Sequence, residues 1–238
     1  MIIKKIITSA LTALLFLPGL TIAQSSLSLG VTVNGSNWKG NNGAFNNRFE
    51  SDKGGQFGLS ISYSLDRFYT GLSLQGGDYQ FDGPAPTQFT PIFTIPTSAV
   101  SLTHSDFDLL AGYYFWERVS LFVDLKAASS QWDNNQYKQS FGGLGLGVTA
   151  YHPLDNDWML YGSWGVVGGT VKQTSGSIDL GDGTSNALVL AAQYTLSRNN
   201  NLNMGFKFRR FVFDFDNGAE QRYSLNGLFI GYNHVFEF

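Results

Sequence analysis

From residue 27 to the C-terminus, apolar side chains recur at every second position, separated by a small set of Gly, Ser, Thr, Asn and Gln. In Leu27 to Trp38 the apolar set is Leu27, Leu29, Val31 and Val33, interleaved with Ser28, Gly30, Thr32 and Asn34. Gln56 to Leu65 repeats the pattern with Phe57, Leu59, Ile61, Tyr63 and Leu65. The same spacing returns in Val119, Leu121, Val123, Leu125; in Leu144, Leu146, Val148; and in Leu188, Leu190, Ala192, Tyr194. Period two is the repeat of an extended strand whose two faces meet different surroundings. No helix-period stretch competes with it after residue 24, so the fold class is all-β. Charged residues are only 14% of the chain, against about 25% in soluble domains. A soluble barrel or sandwich displays Lys and Glu on its outer face. A face of Gly, Ser and Asn suits a crowded polar interior, which leaves the apolar face to meet hydrocarbon.

Ten strands are predicted, over 27–38, 55–65, 68–81, 100–115, 119–132, 140–152, 158–173, 186–196, 202–213 and 223–238. The connections alternate between short (Asp66-Arg67, Trp116 to Arg118, Pro153 to Asp157, Ser197 to Asn201) and longer ones (Lys39 to Gly54, Gly83 to Ser98, Asp133 to Gln139, Thr174 to Ser185, Asp214 to Arg222). In lipid every backbone N–H and C=O must be paired internally, so a strand protein has to close. An even strand count with short turns on one side is the layout of bacterial outer-membrane barrels. The expectation is a ten-stranded antiparallel transmembrane β-barrel in the cell outer membrane, with both termini periplasmic. Phe68, Trp116 and Trp158 are expected in an aromatic girdle at the short-turn end, and Trp38, Phe81, Trp132 and Tyr223 in one at the long-loop end.

Met1 to Ala23 carries Lys4 and Lys5, an apolar run from Ile6 to Leu17, and Thr21-Ile22-Ala23 before Gln24. This reads as a secretory signal peptide over residues 1–23, with the barrel domain over 24–238. The chain has no cysteine and a net charge of -3. Disulfide frameworks and thiolate metal sites are excluded, and an acidic chain is no candidate for nucleic acid. No phosphate loop, zinc spacing or dinucleotide fingerprint is present, so no cofactor is expected.

The last strand ends in Leu228, Ile230, Tyr232, His234, Phe236 and Phe238. It resembles the C-terminal signature of Gram-negative outer-membrane proteins, carried here by Ile230, Tyr232, Phe236 and Phe238. The resemblance implies recognition by the barrel assembly machinery and contact with outer-membrane lipids including lipopolysaccharide. His234 stands where that family has an apolar residue.

Charges inside the strands are expected to face the lumen, because a lipid-facing Arg or Lys costs about 2–4 kcal/mol at the midplane. Asp108, Asp124, Lys126, Lys207 and Arg209 form the candidate cluster. If Phe115 pairs with Val119, Asp108 falls opposite Lys126, a favourable cross-strand pair. Gly143, Gly145 and Gly147 are expected to leave room for long side chains. The cluster reads either as a brace of a narrow lumen or as a constriction selecting ions.

His104 and Asp106 near one strand end, with Asp214 and Asp216 near another, are similar to the His/Asp and Asp/Asp pairs of omptin proteases. The order of His104 and Asp106 is reversed, however, and a common face requires a bulge at Arg209-Arg210. Ser105 falls on the opposite face from His104. Asp179-Leu180-Gly181-Asp182-Gly183-Thr184 reads as a Gly/Asp turn rather than a calcium loop. Pro84, Pro86, Pro91 and Pro96 stiffen a loop with Phe89, Ile92, Phe93 and Ile95, suited to a lid or to partner binding. The expected function is non-enzymatic: a porin-like or structural surface protein whose narrow polar lumen passes small solutes. A loop-based adhesin or receptor is the alternative, and a rim protease the third.

Overall fold

A computed structural model describes residues 25–42, 47–86, 99–132, 138–173 and 178–238. The signal-peptide expectation and Phe89, Pro91, Ile92, Phe93, Ile95 and Pro96 lie outside them. The strands are β1 (Ser25–Asn42), β2 (Asn47–Glu50), β3 (Lys53–Leu65), β4 (Phe68–Phe81), β5 (Val100–Trp116), β6 (Val119–Trp132), β7 (Lys138–Pro153), β8 (Trp158–Gln173), β9 (Ile178–Ser197), β10 (Asn200–Phe215) and β11 (Glu220–Glu237). Each long strand pairs antiparallel with its neighbour, and β11 pairs with β1 from Ser26↔Glu237 to Asn42↔Gln221, closing the sheet. The four-residue β2 folds back on the outer end of β1. The result is a closed ten-stranded antiparallel barrel with one short extra strand.

The short turns fall where predicted, at 66–67, 117–118, 154–157 and 198–199, all at the end that holds Ser25 and Phe238. Asp66 takes φ 53° in the first, a left-handed conformation that Asp tolerates better than most residues. Phe68 and Trp116 point outward there, and Phe68 packs on Tyr113, as Trp158 does on Tyr194.

Polarity is inside out relative to a soluble fold. Leu144 and Leu146 are each 67% exposed and Leu228 72%, while Asp106, Lys126 and Arg209 are 3%, 4% and 1% exposed. Such an apolar belt has hydrocarbon as its natural solvent.

Toward the long-loop end, the pattern inverts its phase. On β10 Leu202, Met204, Phe206 and Phe208 face outward; beyond Arg209 it is Phe211, Phe213 and Phe215 that are buried inside, with Arg210 and Asp214 outside. On β1 the outward Leu29, Val31 and Val33 give way to buried Trp38 between exposed Asn37 and Lys39. The same exchange buries Tyr79 and Phe81 on β4, Phe141 on β7, Val171 on β8 and Tyr223 and Leu225 on β11. These side chains form one cluster, joined by Ala85 from the start of the following loop. A wall apolar outside and then apolar inside has passed from lipid into water.

Three expectations are corrected by this inversion. No bulge occurs at Arg209-Arg210, where β10 keeps register with both neighbours. Trp38, Phe81 and Tyr223 fill the interior instead of forming a girdle, and Trp132 packs against the same core. The lumen is polar only over its inner half. Separately, β9 begins at Ile178, so Asp179 to Thr184 is strand, with a register shift opposite Val171 and Lys172 and Gly181 at φ 140°.

Close approach explains several glycines. A Cβ on Gly112 would lie 2.3 Å from the Tyr69 ring, and one on Gly147 2.1 Å from Phe122. At Gly143 and Gly145 the obstacle is β8 backbone, Gly168 O at 2.3 Å and Val166 O at 2.2 Å. Those two glycines let strands approach closely rather than making room for the charged side chains.

Candidate functional site

Beneath the aromatic core lies a layer of ionisable groups whose positions follow from strand parity. On β5 His104, Asp106 and Asp108 face inward; Lys126 and Ser130 do so on β6, and Lys207 and Arg209 on β10. Asp108 stands opposite Lys126 as predicted, but the expected turn pairing is corrected: Trp116 and not Phe115 pairs with Val119, and a bulge at Phe115 restores the register. Lys126 Nζ donates to the Asp108 carboxylate. Lys126 also lies 3.6 Å from Asp106. Arg209 reaches across the interior to donate to Asp106 and to Gln56 of β3. Lys207 Nζ donates to Gln75 Oε1 of β4 at 2.9 Å.

His104 completes the layer. Its Nε2 is 3.1 Å from Asp106 Oδ2 and its Nδ1 2.9 Å from Ser130 Oγ. A carboxylate only accepts, so Nε2 carries the proton, and in the neutral ring Nδ1 accepts from the Ser130 hydroxyl. The Trp38 ring lies edge-on to the imidazole at 5.3 Å, and Phe211 at 6.0 Å.

Of the five predicted residues, Asp108 and Lys126 meet directly, Arg209 joins them through Asp106, and Lys207 is held by Gln75. Asp124 faces the same interior and makes no ion pair among the described residues. The hub is Asp106, taken from sequence only as a rim residue, with Gln56, Gln75 and Ser130 as partners that strand-by-strand reading misses. A cross-strand neighbour can be read from a turn, whereas contacts across a lumen depend on the circumference of the closed barrel. The only sequence signal was parity, which puts Asp106 on the face of Asp108.

Ser130, His104 and Asp106 are bonded in the order of an acyl-transfer triad. All three are buried, and Trp38 and Phe211 occupy the space above the imidazole. Ser105 points outward to Ser129 Oγ, 2.8 Å away, on the face opposite His104 as expected. The omptin-like arrangement is not assembled. His104 and Asp106 face the interior, but Asp214 is exposed on the outer face between Asp182 and Glu220, and Asp216 lies in the following turn. Asp179, on the stretch considered for calcium, is 3.0 Å from Lys172. No group of three or more metal-ligating side chains occurs among the described residues.

Below the ionic layer, a cavity of about 160 Å³ is lined by Thr32, Asn34, Gln56, Gln75 and Lys207. A wider vestibule of about 840 Å³ at the short-turn end is lined by Ser62, Tyr114, Tyr151, Tyr161, Asn203 and Asn233. On the last strand, Ile230, Tyr232, Phe236 and Phe238 face outward. His234 is accommodated among them by Asn200, which bonds both Tyr232 Oη and, at 2.8 Å, His234 Nδ1.

No family model matches the chain. No curated protein matches it either. Solved structures do. The outer membrane protease OmpT from Escherichia coli is similar over 93% of this chain and 99% of its own, with TM-score 0.55 and 11% identity. The translocator domain of the autotransporter NalP from Neisseria meningitidis is similar over 98% and 95%, with TM-score 0.44 and 12% identity. Ail of Yersinia pestis is similar over 90% and 99%, with TM-score 0.36 and 13% identity. At such identities OmpT shares the fold and nothing finer. The fold of this chain is that of bacterial outer-membrane β-barrel proteins.

Proposed function

We propose that the chain is a sealed, non-enzymatic structural surface protein of the Gram-negative outer membrane. The observation that carries this reading is the filling of the interior. An aromatic core from Trp38 to Leu225 sits on a neutralised layer in which Asp106 receives Arg209, His104 and Lys126. Both parts oppose conduction, since an ion would have to displace close-packed rings and then break paired charges. A brace therefore accounts for the five charges better than a selectivity ring. Reconstitution in a planar bilayer tests this: the wild-type barrel should be electrically silent. A steady conductance that changes in Lys126→Ala would establish a pore instead.

Surface binding is the second reading, favoured by strand length. β1 and β11 have 18 residues and β9 has 20, where about 9–11 suffice to span. The wall thus rises beyond the leaflet and presents its loops, with Ala85 accepting a hydrogen bond from Asn42 in the mouth. In this reading insertion uses the assembly machinery and the terminal aromatic strand, as the resemblance implies. The triad-like bonding calls for its own check. Ser130 should resist labelling by a fluorophosphonate in the folded barrel, and stoichiometric labelling abolished by His104→Ala would make the protein a hydrolase.

A further inference from the structure

The outer wall carries a strongly basic site, and the phase inversion fixes its height. Immediately past the last lipid-facing side chains of β10 and β11, a groove of about 510 Å³ is lined by Lys39, Arg48, Glu50, Phe208, Arg210 and Arg222, with Ser224 between the strands. The register sets these residues in two outward rows. The lower runs Glu50, Lys39, Ser224, Arg210 across β2, β1, β11 and β10, and the upper runs Arg48, Asn41, Arg222, Val212. Below them the same strands show Phe208, Phe206, Leu228 and Ile230 to lipid.

Four cations against one carboxylate make the lining strongly positive. Arg222 is engaged by Glu220, and Glu50 receives Asn37 Nδ2 at 2.7 Å. Lys39, Arg48 and Arg210 have no ion-pair partner among the described residues. Neighbouring strands are about 4.8 Å apart, so Lys39 and Arg210, two strands apart in one row, can close on a single phosphate from both sides. Elsewhere at this height the described wall bears Asp78, Ser101, Thr103, Ser129 and Gln131, and its cations are three separate lysines, Lys53, Lys138 and Lys172, the last paired with Asp179.

We propose that this groove binds the phosphorylated headgroup of an outer-leaflet glycolipid, with the acyl chains descending along Phe206 and Phe208. This rests on the outer-membrane placement proposed above and gives the lipid partner a definite site. The direction of approach favours a lipid over a free anion. An anion arriving from water first meets the acidic row Asp182, Asp214 and Glu220 above the groove, whereas a headgroup anchored in the leaflet comes from the apolar side. Cations beside a membrane surface are known to attract anionic lipid in this way.

The test is binding of diphosphoryl lipid A to the refolded barrel in non-ionic detergent, read by native mass spectrometry. The double variant Lys39→Gln/Arg210→Gln should bind about tenfold more weakly or worse, as should the wild type offered dephosphorylated lipid A. Arg198→Gln, at the opposite rim where Arg198 pairs with Glu237, should bind as the wild type does. Folding is checked by heat-modifiable gel mobility, and Arg48→Gln replaces the double variant if that check fails. Unchanged binding by the substituted groove overturns the proposal, as does equal binding of the dephosphorylated lipid. Competition by millimolar inorganic phosphate would reassign the groove to free anions. Each of these outcomes leaves the bilayer silence of the barrel untouched, so the two readings fail separately.

Discussion

Asp106→Ala should destabilise the barrel by about 3–5 kcal/mol, or prevent its folding, because it strips a buried ionic layer of the carboxylate that holds it together. In the intact layer Arg209, Lys126 and Lys207 face Asp106, Asp108 and Asp124. Without Asp106 the guanidinium of Arg209 keeps only Gln56, His104 loses its acceptor, and one cation stays uncompensated in a water-poor interior. Asp106→Asn retains an acceptor while losing the charge, so it should fall between wild type and alanine. Urea unfolding from lipid vesicles, followed by gel mobility, measures both. A loss below about 1 kcal/mol for the alanine variant would be that of a surface ion pair and would remove the hub role.

Phe211→Ala should cost about 3–5 kcal/mol through the cavity it opens. Phe211 stacks on Tyr223 with centroids 4.9 Å apart and meets Phe141 and Phe213 at 6.0 and 5.9 Å. Rigid strands hold these partners, so the space cannot close. Phe206→Ala, on the same strand but facing outward, should cost clearly less, because lipid chains can refill the space. Equal losses at the two positions in the same urea titration would mean that the wall does not pass from one solvent to another between them.

Much of this architecture is readable in the sequence because strand parity is strict while one environment lasts. The Leu27 to Val33 and Leu144 to Val148 alternations place β1 and β7, and Asp108 meets Lys126 through the Glu117-Arg118 turn together with a bulge at Phe115. Reading becomes unsafe where the environment changes. Trp38 shares a face with Asn34 and Ser36, so its inward direction is written in the parity, yet its height on the strand suggests a girdle. Phe211, Phe213 and Phe215 likewise look displaced until water replaces lipid outside them. The hub was harder still. Nothing in the neighbourhood of Gln56 announces Arg209, because a contact across a lumen exists only once the circumference is closed.

Arg209 is separated from Asp106 by 103 residues and from Gln56 by 153, and neither partner lies on a strand adjacent to β10. The crosslink therefore needs β10 brought round to face β3 and β5, and until then Arg209 stays hydrated and unmatched, whereas Lys126 can meet Asp108 as soon as the β5–β6 hairpin forms. Arg209→Gln should accordingly accelerate disassembly while leaving the rate of insertion almost unchanged, the pattern of a contact made only on closure.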